Sequence, residues 1–193
     1  MAKAVFLDRD GTIIEDTGYV AGPERVKFLP GSSQAIKLLN ENGFKVIVVS
    51  NQAGVARGYF DEDMVQATNR YIQAALAEQG ACIDMFYYCP HHKDGVVEEY
   101  RHECYFRKPS PGMIEQGGRD FNIDLQQSFV IGDHYSDVAA GYRAGCRTVL
   151  LGDGNSGDEE MTIRPDRIAS DLKEAVDWVL KVCSREEAKV YEK

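Results

Sequence analysis

The chain has 193 residues, 44% of them hydrophobic and 27% charged, which suits one soluble globular domain with a sizeable core and disfavours disordered and fibrous classes. Its formal net charge of -9, from 22 Lys and Arg against 31 Asp and Glu, repels nucleic acid and anionic membranes, so neither is expected as a partner. An anionic substrate would therefore need a local site made by a metal ion, backbone N–H groups or a few placed cations.

The start, MAKAVFLDRDG, holds an apolar run only from Ala4 to Leu7, too short for a secretory signal, and a cytoplasmic protein is expected. That run, AVFL, reads as a strand, and GSSQAIKLLNENG as a helix leading to the strand KVIVVS at 45–50. DEDMVQATNRYIQAALAEQG predicts a helix N-capped by Asp61 and stopped by Gly80, with Met64, Thr68, Tyr71, Ile72, Ala75 and Leu76 on one face. CIDMFYYC at 82–89 follows as a strand, then a helix opened by Ser110 and Pro111, where the missing proline N–H costs nothing. The strand SFVIG at 128–132, a helix from Ser136 to about Ala144 and the strand TVLL at 148–151 come next. A last helix near Asp171 to Val182 precedes the charged tail SREEAKVYEK, expected to fray. Two stretches break the rhythm, a long loop insert at 90–109 and a mobile or loop-rich segment at 152–169. The alternation implies an α/β fold, a mainly parallel sheet with helices on both faces, in a single domain over 1–193.

In such a sheet, groups at the carboxyl ends of the strands converge on one crevice. Asp8 and Asp10 follow the first strand, Ser50 and Asn51 end the second, and Asp133 and Asp137 follow the fourth. Arg107 and Lys108 stand just before the helix that leads to that fourth strand. Clustered carboxylates raise one another's pKa unless a cation sits among them, and Mg²⁺ fits such oxygen ligands. Asp8 and Asp133 could supply carboxylates and Asp10 its carbonyl, while Asp137 is either a holder of a metal-bound water or only a helix first-turn acid. A carboxylate can attack phosphorus to give an aspartyl-phosphate, which divides the labour between Asp8 as nucleophile and Asp10 as acid/base. Ser50 could donate to a phosphoryl oxygen, and Lys108 could neutralise charge on the transferring group. The plainer alternatives are a turn-forming Asp-Gly at 10–11, loop capping by Ser50 and Asn51, and a solvated surface pair for Arg107 and Lys108.

DRDGT, VSNQAG, RKP and GDHYSD, in that order along most of the chain, resemble the four motifs of the haloacid dehalogenase superfamily phosphatases. Within it, FLDRDGTI, GYV (18–20), SNQAGVARG (50–58), CPHH (89–92) and RKPSPGM (107–113) resemble the heptose bisphosphate 7-phosphatases, relatives of the histidinol-phosphatases. The resemblance implies a Rossmann-like three-layer sandwich with little or no cap, and a Mg²⁺-dependent phosphatase acting on a small phosphorylated sugar. Removal of the 7-phosphate in heptose-nucleotide synthesis, for lipopolysaccharide core or surface glycan precursors, is the implied reaction, with a histidinol-phosphate or other small phosphate-ester phosphatase as the alternative. Site residues implied are Asp8, Asp10, Ser50 and Lys108 for catalysis, Asp8, Asp10 and Asp133 for Mg²⁺, and Asp16, Gly18, Tyr19, Asn51, Gln52, Arg107 and His134 for substrate. His134 stands where family members commonly carry Lys. A monomer is expected.

Five scattered cysteines favour reduced thiols or a metal over disulfides. The resembling family binds a structural zinc in the insert through a C-x-H pair and a C-x-C pair, and Cys89, His91 and Cys104 match three of those positions while Phe106 stands at the fourth. His102 would complete a Cys₂His₂ set for Zn²⁺, with His92 or water as other fourth ligands. The alternative is a metal-free loop in which Phe106 packs against Tyr105 or Tyr88.

Overall fold

The computed structural model describes residues 1–152 and 163–191. Six strands, β1 (Ala4–Leu7), β2 (Lys45–Asn51), β3 (Met85–Cys89), β4 (Phe129–Gly132), β5 (Arg147–Leu151) and β6 (Arg167–Ala169), pair in parallel in the order β3-β2-β1-β4-β5-β6. Among the described residues six α-helices accompany them: α1 (Ser32–Glu41), α2 (Ala53–Ala56), α3 (Glu62–Ala77), α4 (Gly112–Asp120), α5 (Tyr135–Ala144) and α6 (Leu172–Tyr191).

Strand alternation sorts β1 into two layers. Val5 and Leu7 join Ile36 and Leu39 of α1, Ile72 and Leu76 of α3, and Val176 and Val179 of α6 in one buried cluster. Ala4 and Phe6 join Met113 and Ile114 of α4 and Ala140 of α5 in the other. The expected three-layer sandwich results, because a strand buried on both faces can be covered only by helices on both sides. The elements that follow the carboxyl ends of β2 and β3 are small, the four-residue α2 and a 3-10 turn at Glu98–Tyr100, and no cap is built there among the described residues. Among them, also, no helix is long and apolar enough to cross a membrane.

Asp61 caps α3 as expected, its carboxylate accepting from the Met64 N–H at 2.9 Å. The buried stripe of α3 differs from the expected one: Val65, Thr68, Asn69, Ile72 and Leu76 face inward, while Tyr71 is 46% exposed. A polar residue displaces an aromatic one because Asn69 has a buried partner, described below. The tail after Val182 continues α6 to Tyr191, since EEAKVYEK is rich in strong helix formers and lacks Gly and Pro. Of the segment expected to be loop-rich at 152–169, residues 153–162 lie outside the described residues and its last three form β6, too short to show alternation in sequence.

Candidate active site

Connections from β1 and β4 run to opposite sides of the sheet, so a crevice opens between the ends of these two neighbouring strands. Asp8 leaves β1 and Asp133 leaves β4 at that point. Ligand oxygens of Asp8, Asp133 and Asp137 lie within 4.8 Å of one another.

Lys108 pairs with two members of this acidic group, Asp8 and Asp137, and is only 4% exposed, which removes the surface-pair alternative for it. Its ammonium is 2.9 Å from Asp8 Oδ1 and 2.5 Å from Asp137 Oδ1, and it donates to the Val49 carbonyl at 2.8 Å. Burial works against the charge, yet Asp137 and Asp8 outweigh it and raise the Lys108 pKa above its ordinary value. Asn51 grips the same residue's main chain: its Nδ2 donates to the Lys108 carbonyl and its Oδ1 accepts the Lys108 N–H, each at 3.0 Å. Asn51 lines the cavity as expected, but its amide is committed to holding Lys108.

Asp8 Oδ1 also accepts the Arg9 N–H at 2.7 Å. Burial raises the Asp8 pKa, with Lys108 opposing and Asp137 adding to the rise. Asp133 is pushed up to about 7, first by burial and then by the Asp8 charge, and its buried Oδ1 has no hydrogen-bond partner among the described residues. A buried carboxylate oxygen left orphaned beside two more acids fits a hard dication with oxygen ligands. Gly11 makes this approach possible, because a Cβ there would fall 2.1 Å from Asp133 Oδ2 and its φ is 79°. Asp137 also accepts the His134 N–H at 3.1 Å, so it is a helix first-turn acid and a partner of Lys108 at once.

Asp10 has separate partners. Gln52 Nε2 donates to Asp10 Oδ2 at 2.9 Å and to Ser50 Oγ at 2.7 Å, and the Arg9 guanidinium pairs with the Asp10 carboxylate at 3.1 Å. Asp8, Asp10, Ser50, Asn51, Gln52, Arg107, Lys108, Asp16, Gly18, Tyr19 and His134 all line one cavity of about 260 Å³, so the expected catalytic and substrate residues are brought together there. Asp133 does not line it; it lines a separate cavity with Gly11 and Thr12. Asp16 Oδ1 accepts the Gly18 N–H at 2.7 Å, closing a turn that presents Tyr19, whose ring packs edge-on against Tyr59 with centroids 4.7 Å apart. His134 is exposed, with Nε2 3.6 Å from Asp133 Oδ2. Arg107 is partly buried, which lowers its pKa, and its Nη1 donates to the His91 carbonyl at 3.3 Å. Sequence reasoning missed Ser136 in the lining and the Arg9 partnership with Asn69; a polar Asn among the apolar positions of α3 was the available signal.

In the insert, ligand atoms of Cys89, His91 and Cys104 lie within 4.8 Å of one another. His102, expected as fourth ligand, is not in this group; its ring lies against the His91 ring, with centroids 4.1 Å apart and the planes tilted by 42°. Phe106 and Tyr105 are 39% and 57% exposed, so aromatic burial does not clip the loop. Hydrogen bonds do: Tyr88 and Tyr100 hydroxyls donate to Glu62 at 2.7 and 2.9 Å, and Val96 and Val97 N–H groups donate to the Ala56 carbonyl at 2.7 and 2.9 Å.

Residues 105–175 match the family model described as HAD-hydrolase-like. The D-glycero-beta-D-manno-heptose-1,7-bisphosphate 7-phosphatase of Rhodopseudomonas palustris is 47% identical over 142 residues, covering 74% of this chain and 79% of that protein. The same-named protein of Haemophilus ducreyi is 40% identical, covering 92% of this chain and 98% of its own length. A solved structure, the D,D-heptose 1,7-bisphosphate phosphatase from B. bronchiseptica complexed with magnesium and phosphate, is 33% identical with a TM-score of 0.82, covering 93% of this chain and 98% of that one.

Proposed function

This chain belongs to the heptose-1,7-bisphosphate 7-phosphatase family of HAD-like hydrolases, and we propose that it removes the 7-phosphate of D-glycero-D-manno-heptose 1,7-bisphosphate through an aspartyl-phosphate on Asp8. The observation that carries this reading is the separate pairing of the two carboxylates, Asp8 with Lys108 and Asp10 with Arg9 and Gln52, at the edge of one cavity. Two acids with different partners can take different roles.

Asp8 Oδ1 already takes two donors, Arg9 N–H and Lys108, which supports Oδ2 as the oxygen that attacks phosphorus. As the Asp8–phosphorus bond forms and the bond from phosphorus to the sugar oxygen breaks, Asp10 gives its proton to that oxygen. Asp10 then removes a proton from water while the water oxygen bonds to phosphorus, releasing phosphate and the Asp8 carboxylate. Ser50, held by Gln52, and Lys108 hold the phosphoryl oxygens, and Arg107 binds the rest of the substrate. Asp8, Asp133 and the Asp10 carbonyl would hold Mg²⁺, and the orphaned Asp133 Oδ1 supports that assignment. When bound, Mg²⁺ supplies positive charge against the clustered carboxylates and the phosphoryl oxygens.

The thiolates of Cys89 and Cys104 with His91 would take Zn²⁺ as a three-residue set, which fits the softness of those donors. The five scattered cysteines, with none shown in a disulfide among the described residues, support a reducing, cytoplasmic setting, and the reaction belongs to heptose-nucleotide synthesis for lipopolysaccharide or other surface glycans, carried out by a monomer. The test is phosphate release with Mg²⁺ from the heptose bisphosphate anomers, fructose 1,6-bisphosphate and histidinol phosphate. The highest kcat/KM is expected on a heptose bisphosphate; preference for histidinol phosphate would overturn the substrate assignment.

A further inference from the structure

Among the described residues Arg9 has the largest of the fully buried side chains, 1% exposed, although it sits between two acids, Asp8 and Asp10. Its guanidinium forks onto Asp10, with Nε 3.2 Å from Oδ2 and 3.4 Å from Oδ1, and Nη2 3.1 Å from each oxygen. The opposite corner, Nη1, donates to Asn69 Oδ1 at 3.0 Å, and Asn69 is itself only 8% exposed on α3. Arg9 and Asn69 are sixty positions apart, Arg9 just after β1 and Asn69 midway along α3. Neither touches the cavity, whereas Asp10 lines it.

A planar guanidinium fork fixes both the position and the plane of the carboxylate it grips. It can do so only if its own far corner is held, because an arginine side chain otherwise has several rotatable bonds. We propose that Asn69 is a positioning residue for the reaction: by holding Arg9, it aims the Asp10 carboxylate at the oxygen that leaves phosphorus. This inference rests on the phosphatase reading above. Gln52 reaches Asp10 from the cavity side, so the acid/base is held between one donor attached to the phosphoryl-binding Ser50 and one attached to helix α3.

The proton transfer concerned is the first one, in which Asp10 gives its proton to the sugar oxygen as the bond from phosphorus breaks. A sugar alkoxide is a poor leaving group and needs that proton; p-nitrophenolate departs without it. Misplacing Asp10 should therefore slow the sugar ester and spare the aryl ester. The comparison is made in kcat/KM, which covers steps up to departure of the alcohol and excludes the later water attack. A merely structural Asn69 would affect both esters alike.

The experiment measures kcat/KM of wild type, Asn69→Ala, Asn69→Asp and Arg9→Lys with Mg²⁺ on the heptose bisphosphate and on p-nitrophenyl phosphate. Asn69→Ala should lose about tenfold or more on the sugar ester, as expected when a reacting group is misplaced, with less than about a threefold loss on the aryl ester. Arg9→Lys, which keeps the charge and loses the fork, should show the same selectivity, so the test stands even where one variant folds poorly. Asn69→Asp keeps an acceptor oxygen for Nη1 and should return the sugar ester to within about threefold of wild type. Equal losses on both esters, or no loss on either, would overturn the role of Asn69. The underlying phosphatase reading is checked separately, by wild-type phosphate release from the sugar ester and its abolition in Asp8→Asn.

Discussion

Replacing Lys108 by Met keeps most of the side-chain volume and removes the ammonium that faces Asp8 at 2.9 Å and Asp137 at 2.5 Å. Removing one partner of a buried ion pair costs about 3–5 kcal/mol, because the remaining charge stays buried without compensation. For a chain of this length about 2–4 °C is lost per kcal/mol, so Tm should fall by about 6–20 °C at pH 8. In the wild type the Lys108 pKa is raised, so its contribution is complete below its ordinary value of 10.5 and constant between pH 5 and 8. In the variant, burial and Asp137 both raise the Asp8 pKa with no cation opposing them. A carboxylate with a raised folded pKa costs stability increasingly as pH rises above its ordinary 3.8. The loss should therefore be smaller at pH 5 than at pH 8. The assay is thermal unfolding of chelator-treated protein at both values, followed by Mg²⁺ addition, which should recover part of the loss by binding the folded carboxylates. A fall of less than about 2 °C at pH 8, under the range just derived, or equal falls at both pH values, would refute the reasoning.

Gly11→Ala should lower Tm and weaken Mg²⁺ dependence together, since its positive φ costs an L-residue about 1–2 kcal/mol and its methyl would collide with Asp133; unchanged activation by Mg²⁺ would show that Asp133 moves aside harmlessly. Arg107→Ala should mainly raise KM on the sugar bisphosphate with kcat nearly kept, and steady-state kinetics showing a pure kcat loss would place Arg107 on the transferring phosphoryl group. Elemental analysis of protein purified without chelator should find zinc, retained in His102→Ala and lost in Cys104→Ser; occupancy lost equally in both would return His102 to the ligand set.

The amino-acid sequence by itself determined the layer architecture and the meeting place of the chemistry. The short unbroken apolar runs in AVFL and KVIVVS, buried at successive positions on both faces, and the helical spacing between them are local properties, so strands, helices and the parallel connection could be read directly. Asp8, Asp10 and Ser50 follow at once, because each stands within a few positions of a strand end. Four features needed the folded chain: the double pairing of Lys108 with Asp8 and Asp137, the hold of Asn51 on the Lys108 main chain, the Arg9–Asn69 contact, and the turning of His102 onto His91. Tyr71 and Asn69 show the difference within one helix, where periodicity favoured the aromatic residue and the structure buries the amide. Periodicity reports which face of an element meets the core. Which polar side chain finds a partner within that core depends on distances across elements far apart in the chain, and those exist only after the layers have packed.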